Sequence, residues 1–150
     1  MTDVQFNHME LTFARGALDD PVRADIDAFY GDVFGWVGKD TVVLDQSCHL
    51  LLAGSQFILL AESDNPIASP GYDHLGLLVD TFDEVDELLE RCHRYREKDP
   101  RLQIKEYADF VVGPVTQHTF YVRYLLPIWF DVHAIRRAET DGADATGTGA

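Results

Sequence analysis

The sequence predicts an α+β fold made of two copies of one unit, each running strand–helix–three strands. Three observations carry this. First, Asn7-His8-Met9-Glu10-Leu11-Thr12-Phe13 has an echo in Asp73-His74-Leu75-Gly76-Leu77-Leu78-Val79, with His8 on His74 and apolar residues at matching alternate places. Second, each echo is followed by an amphipathic helical pattern and then by three strand-like runs. Third, Glu62-Ser63-Asp64-Asn65-Pro66-Ile67-Ala68-Ser69-Pro70-Gly71 separates the copies, and its prolines and small polar residues make it a linker. A repeated supersecondary unit is a strong architectural signal. The predicted arrangement is a single domain over residues 1–135, with paired modules 6–62 and 72–135 whose curved, mainly antiparallel sheet surrounds a cleft. Residues 136–150 are expected to be a disordered tail.

The first strand is expected over Phe6 to Phe13. Asp19-Asp20-Pro21 announces a helix, with an acid at the N-cap and proline in the first turn. Ile26, Phe29, Tyr30, Val33 and Phe34 give it one apolar stripe, and Gly35 is its stop. Strands are expected over Thr41 to Leu44, His49 to Leu52 and Gln56 to Ala61, with turns at Asp45-Gln46-Ser47 and Ala53-Gly54-Ser55. In the second copy, Thr81-Phe82-Asp83-Glu84 is a capping-box pattern for a helix running to about Lys98, with Phe82, Val85, Leu88, Leu89 and Cys92 on one stripe. Strands at Gln103 to Ala108, His118 to Arg123 and Trp129 to Ile135 complete it.

Strand side chains alternate between faces. Met9, Leu11 and Phe13 therefore share a core-like face, as do Leu75, Leu77 and Val79, and as do Phe130, Val132 and Ala134. The opposite faces carry His8, Glu10 and Thr12; His74, Gly76 and Leu78; and Trp129, Asp131 and His133. Three histidines, His8, His74 and His133, and two acids, Glu10 and Asp131, thus lie on faces not needed for the core.

Bulk properties bound the function. The chain has 150 residues, 46% of them hydrophobic, which suffices for one core. Net charge is −14, with 26 acids against 12 bases, and this excludes a phosphate-backbone partner. The acid excess reads as solubility, or more sharply as a sign of a cationic ligand. No apolar run approaches the roughly 20 residues of a membrane span. Met1 to Gln5 lacks the basic and apolar regions of a secretory signal, so a cytoplasmic location is expected. Cys48 and Cys92 make no disulfide framework and are expected to be buried thiols.

The strand–helix–three-strand repeat resembles the vicinal oxygen chelate superfamily, which includes glyoxalase I, extradiol dioxygenases, fosfomycin-resistance thiol transferases and bleomycin-binding proteins. Three segments carry the resemblance. They are His8-Met9-Glu10-Leu11, Ala28-Phe29-Tyr30-Gly31-Asp32-Val33-Phe34-Gly35-Trp36, and Tyr72-Asp73-His74-Leu75-Gly76-Leu77-Leu78-Val79. The resemblance implies a glyoxalase-like fold and a cleft that binds a divalent metal, Fe, Mn, Ni or Zn, through His8, His74 and Asp131. Two imidazoles and a carboxylate leave coordination positions for a substrate. His118-Thr119-Phe120-Tyr121-Val122-Arg123 ahead of Trp129-Phe130-Asp131 is similar to the end of an extradiol dioxygenase, which implies that Tyr121 faces substrate.

The carboxylate that glyoxalase I takes from the first module aligns with Leu60, Glu62 lies two residues on and shares its face, and Tyr121 or Glu62 is expected to be positioned for proton transfer. Glu10 is a further candidate acid and His133 a substitute ligand. Trp129, Trp36 and Phe57 are candidate pocket residues, His118 is placed near the cleft mouth, and His93 is expected at the surface. The acids from Asp83 to Glu90 read as a solvated helix face. The resemblance also implies a homodimer in which sheets of both chains complete each cleft. The resulting expectation is a metal-dependent lyase, isomerase or dioxygenase acting on a small oxygen-chelating molecule. The alternative is a metal-free protein that sequesters an antibiotic-like ligand.

Overall fold

The structure, a computed structural model, describes residues 2–139. The first module contains β1 (His8–Phe13), α1 (Asp20–Phe34), β2 (Val37–Val43), β3 (Gln46–Ala53) and β4 (Gln56–Glu62). The second contains β5 (His74–Leu78), α2 (Phe82–Lys98), β6 (Gln103–Glu106), β7 (Phe110–Val112), β8 (Val115–Arg123) and β9 (Trp129–Arg137). The repeated unit is present, with β7 as an added short strand that turns back into β8.

Both helices begin where their caps demand. The Asp19 carboxylate accepts the Val22 N–H at 3.0 Å, and Gly35 ends α1 in the left-handed conformation at φ 73. In α2 the Thr81 hydroxyl accepts the Glu84 N–H at 3.1 Å, while Glu84 accepts the Asp80 N–H at 3.2 Å. The return bond therefore lands one residue ahead of the usual capping box. α1 buries Ile26, Phe29, Tyr30 and Val33, and α2 buries Val85 and Cys92.

The strands form two mixed sheets, ordered β1-β4-β3-β2 and β5-β9-β8-β6, with β7 beside β8. β1–β4 and β5–β9 are parallel and the other pairs antiparallel. The expected curved sheet is thus divided within the chain, since β1 and β5 are both edge strands. Leu11, Leu51, Ile58 and Leu60 are buried in the first sheet, and Phe120, Val122, Phe130, Val132 and Ala134 in the second.

Aromatic residues join the two halves. Phe29 lies 5.0 Å from Tyr95 and 4.7 Å from Tyr124 between ring centroids, and Tyr30 meets the edge of Phe130 at 5.7 Å. The buried Tyr30 hydroxyl donates to the Tyr124 carbonyl at 2.8 Å. The modules are therefore fastened through their helical sides, which leaves the opposite sheet faces open.

A buried polar link locks α1 to its sheet. His49 is only 3% exposed, with Nε2 2.6 Å from Asp27 of α1 and Nδ1 2.7 Å from Asp40 of β2. Arg23 donates to the same Asp40 oxygen at 2.9 Å. Gly38 makes room for this link, because a Cβ there would fall inside the Asp27 carboxylate.

Several strand ends differ from the sequence expectation, with β2, β3 and β8 starting earlier, at Val37, Gln46 and Val115, and β6 stopping at Glu106. The β2–β3 turn is Leu44-Asp45, at φ 50 and 63, not Asp45-Gln46-Ser47. Left-handed leucine is uncommon, so the polar cluster misplaced the turn. Arg136 and Arg137 belong to β9 rather than to a tail, and the Arg136 guanidinium lies 4.0 Å over the Phe82 ring. Residues 140–150 of the expected disordered tail fall outside the described residues. No described helix is long and apolar enough to cross a membrane.

Candidate metal centre

The open face of the second sheet gathers His74, Thr119, Tyr121, Asp131 and His133. The β5–β9 register sets His74 beside Trp129 and Gly76 beside Asp131, and the β8–β9 register sets Tyr121 beside Asp131 and Thr119 beside His133. All of these point away from α2. Asp131 is 6% exposed. Its Oδ1 accepts the Thr119 hydroxyl in a short bond and lies 3.2 Å from His133 Nδ1. Its Oδ2 lies 3.7 Å from His74 Nε2.

His74 is oriented for ligation. Its Nδ1 is 3.0 Å from the Tyr72 carbonyl, which accepts a proton but cannot give one. In the neutral ring Nδ1 is therefore protonated, and Nε2 presents its lone pair toward Asp131 Oδ2. Outer hydrogen bonds of this kind fix the tautomer of metal-binding imidazoles. One oxygen of Asp131 is occupied by Thr119 and His133 and the other converges with His74 Nε2, so these two residues fit a divalent cation as neighbouring donors. Gly76 gives the His133 ring its space, since a Cβ there would lie 3.3 Å from Cε1.

His8 is on the other sheet. Its ring stacks on Phe57 at 4.8 Å, and its Nδ1 is 2.8 Å from the Asn7 side-chain oxygen, which leaves Nε2 free. His8, Trp36, Phe57 and Leu75 line an apolar cavity of about 130 Å³. Among the described residues no group of three His, Cys, Asp or Glu side chains comes together to hold a metal. Within one chain, then, His74 and Asp131 meet and His8 does not join them.

Glu62 is not brought to this face either. It pairs with Phe13 in register and shares the helix-facing side of β4 with the fully buried Leu60. Its carboxylate accepts the Leu18 N–H at 3.0 Å. β4 turns Phe57, Leu59 and Ala61 to the His8 side, so no acid from that strand stands there; Glu10 of β1 does. Tyr121 is well placed, its ring 4.8 Å from His74. Desolvation, followed by the nearby Asp131 charge, holds the Tyr121 hydroxyl pKa above its ordinary value.

His118 is on the helix side rather than at a cleft mouth. It stacks on Phe82 and reaches Asp109 at 2.5 Å and Asp86 at 2.6 Å. Burial lowers its pKa, but the two carboxylates outweigh this and leave it raised. Asp86 is therefore an ion-pair partner and not only a solvated acid. His93 is half-exposed, 3.5 Å from Glu106. Cys48 and Cys92 are buried free thiols, and desolvation pushes Cys92 up to about 12. Sequence reasoning passed over Thr119, although it shares a strand face with Tyr121. It also passed over Lys105, which lies opposite Tyr121 in register.

Sequence comparison matches the chain to no described family and to no curated protein. Structure comparison does find similar folds. The fosfomycin resistance protein FosX from Listeria monocytogenes is similar at TM-score 0.63 and 18% identity, over 88% of this chain and 92% of that one. A glyoxalase family protein from Bacillus anthracis is similar at TM-score 0.57 and 15% identity, over 91% and 99%. A mutant of the Listeria FosX complexed with Mn(II) and 1S,2S-dihydroxypropylphosphonic acid is similar at TM-score 0.61 and 19% identity, over 89% and 93%. The chain therefore has a glyoxalase-like fold, an α+β architecture of paired βαβββ modules.

Proposed function

We propose that this protein is a divalent-metal-dependent enzyme that acts on a small oxygen-chelating substrate and works as a homodimer. The observation that carries the reading is the convergence of His74 Nε2 and Asp131 Oδ2, each fixed from behind by other groups. The third donor is His8 of the partner subunit. The modules are joined through their helices, so the His8 sheet of one chain is free to cover the His74 sheet of another. The first sheet offers an open apolar face for this, with Leu50, Leu52, Phe57 and Leu59 all partly exposed.

When bound, the metal supplies Lewis acidity toward two substrate oxygens. The chain's own residues do the rest. Thr119 and His133 hold Asp131 by one oxygen and leave the other for ligation. Tyr121 presents a phenol beside His74, where it can donate a hydrogen bond to a substrate oxygen. Trp129 and Tyr72, 5.3 Å apart between centroids, form an aromatic wall beside His74. Neither Glu62 nor Glu10 is needed in this account. Fe, Mn, Ni and Zn all suit a two-imidazole, one-carboxylate set, and the two FosX complexes that contain Mn(II) support a divalent ion on this fold.

One observation favours the metal-free alternative. Asp131 is already bonded by Thr119 and His133, and a single chain gathers only two of the three donors. The deciding experiment is elemental mass spectrometry of protein purified without chelator, for wild type, His8→Ala and His74→Ala. Near-stoichiometric metal, lost in both variants, is expected. Dimers formed from one His8→Ala and one His74→Ala chain should regain half the wild-type metal, because one of their two sites is intact. Metal-free wild type that takes up none on reconstitution overturns the enzyme reading.

A further inference from the structure

The open face of the second sheet has a charge pattern that metal binding does not use. By register, Lys105, Arg123 and Arg137 stand on the same side as Asp131, the sole carboxylate on that face of β5, β6, β8 and β9. This is unexpected in a chain with 26 acids and 12 bases. Arg15, Arg23, Arg91, Arg94 and Arg101 each pair with an aspartate or glutamate. Among the described residues, Lys105 has no carboxylate within ion-pair distance. The first sheet would not cancel this charge on covering the face, because its own open side carries Glu10 and Lys39, which offset each other.

Lys105 is placed to act. It pairs with Tyr121 in register and Tyr121 pairs with Asp131, so two strand spacings, about 10 Å, separate its backbone from the candidate ligand. Its ammonium lies 3.9 Å over the Tyr72 ring and 5.2 Å from the Tyr107 ring. Tyr107 in turn contacts Tyr121 at 4.8 Å. The ring faces position the cation by its attraction to their quadrupoles without neutralising it. The Tyr72 and Tyr107 side chains also raise its pKa, so it stays charged. Tyr72 is 49% exposed and Tyr107 37%, so a ligand can reach the cage.

We propose that Lys105, held among Tyr72, Tyr107 and Tyr121, receives an acid group of the substrate. The substrate class is then a small organic acid whose negative group lies away from its two chelating oxygens. This rests on the metal-chelation reading above. It runs against the cationic ligand suggested by overall charge, because the local field at the site has the opposite sign to the net charge.

The test is calorimetric titration of Mn(II)-loaded protein with two vicinal diols, protocatechuate and the methylcatechol that carries a methyl group in place of the carboxylate. The ratio of their affinities is measured in wild type, Lys105→Met and Lys105→Arg. Lys105→Met keeps an unbranched side chain, one atom shorter, and removes the ammonium, and Mn(II) binding should be unchanged in it. The preference for protocatechuate should fall about tenfold in Lys105→Met, as expected for loss of one partly desolvated charge pair. Lys105→Arg should retain most of it. An equal ratio in wild type and Lys105→Met overturns the acid subsite while leaving chelation intact. Failure of both diols to bind overturns the chelation reading, and the subsite with it.

Discussion

Replacing Gly38 by alanine should destabilise the protein far more than a Gly→Ala change in a strand ordinarily does. In a strand interior this change is usually neutral or favourable. Here the added methyl would occupy the position of the Asp27 carboxylate, which must then swing away from His49. His49 is 3% exposed, so its Nε2 would lose its partner with no route to water. A buried polar group left unpaired costs about 1–3 kcal/mol, and more where a charged partner is lost. Displacing α1 adds to this, for a total of about 3 kcal/mol. For a chain of this length that lowers Tm by about 6–12 °C. The assay is thermal unfolding of wild type, Gly38→Ala, Asp27→Ala and the double variant. If the clash with Asp27 is the cause, Gly38→Ala should cost almost nothing once Asp27 is alanine. An unchanged Tm in the single variant, or simple additivity in the double, would refute the reasoning.

Other outcomes follow from the same geometry. The folded-state pKa of His118 is raised, so its contribution to stability is full below the ordinary histidine pKa and is lost as pH rises through the folded value. The Tm gap between wild type and His118→Asn should therefore narrow from pH 5.5 to pH 8.5, and a gap that is constant with pH would contradict the Asp86–His118–Asp109 link. Thr119→Val should weaken metal affinity about tenfold, read by chelator competition, because Asp131 loses the hydroxyl that fixes its orientation. Tyr30→Phe should cost about 1–2 kcal/mol in urea unfolding, since the Tyr124 carbonyl loses its buried donor.

Much of the fold was legible because it rests on local signals. Asp19, Pro21 and Gly35 set the ends of α1, and alternation in β1 and β5 put His8 and His74 on the open faces. Face assignment failed where a strand is apolar on both sides. Phe57-Ile58-Leu59-Leu60-Ala61 is a continuous apolar run, so it correctly grouped Glu62 with Leu60 but did not say which side α1 would cover. His118 was misplaced for a different reason. Its parity with the buried Phe120 and Val122 was available in the sequence, but its partners Asp86 and Asp109 come from distant segments that meet only in the fold. The separation of His8 from His74 and Asp131 was not legible at all, because alternation fixes the face of a strand and not which sheet faces which.

The open apolar side of the first sheet also bears on how a single chain behaves in solution. A newly folded copy carries Leu50, Leu52, Phe57 and Leu59 partly bare to solvent, a surface suited to adhesion. The net charge of −14 opposes indiscriminate contact through mutual repulsion. That repulsion acts across about 30 Å in dilute buffer of about 0.01 M and about 3 Å in molar salt. Ionic strength thus becomes a control on self-association. Salt should shift the chains toward pairs, and a copy stripped of its surface acids should precipitate where the native one stays dispersed.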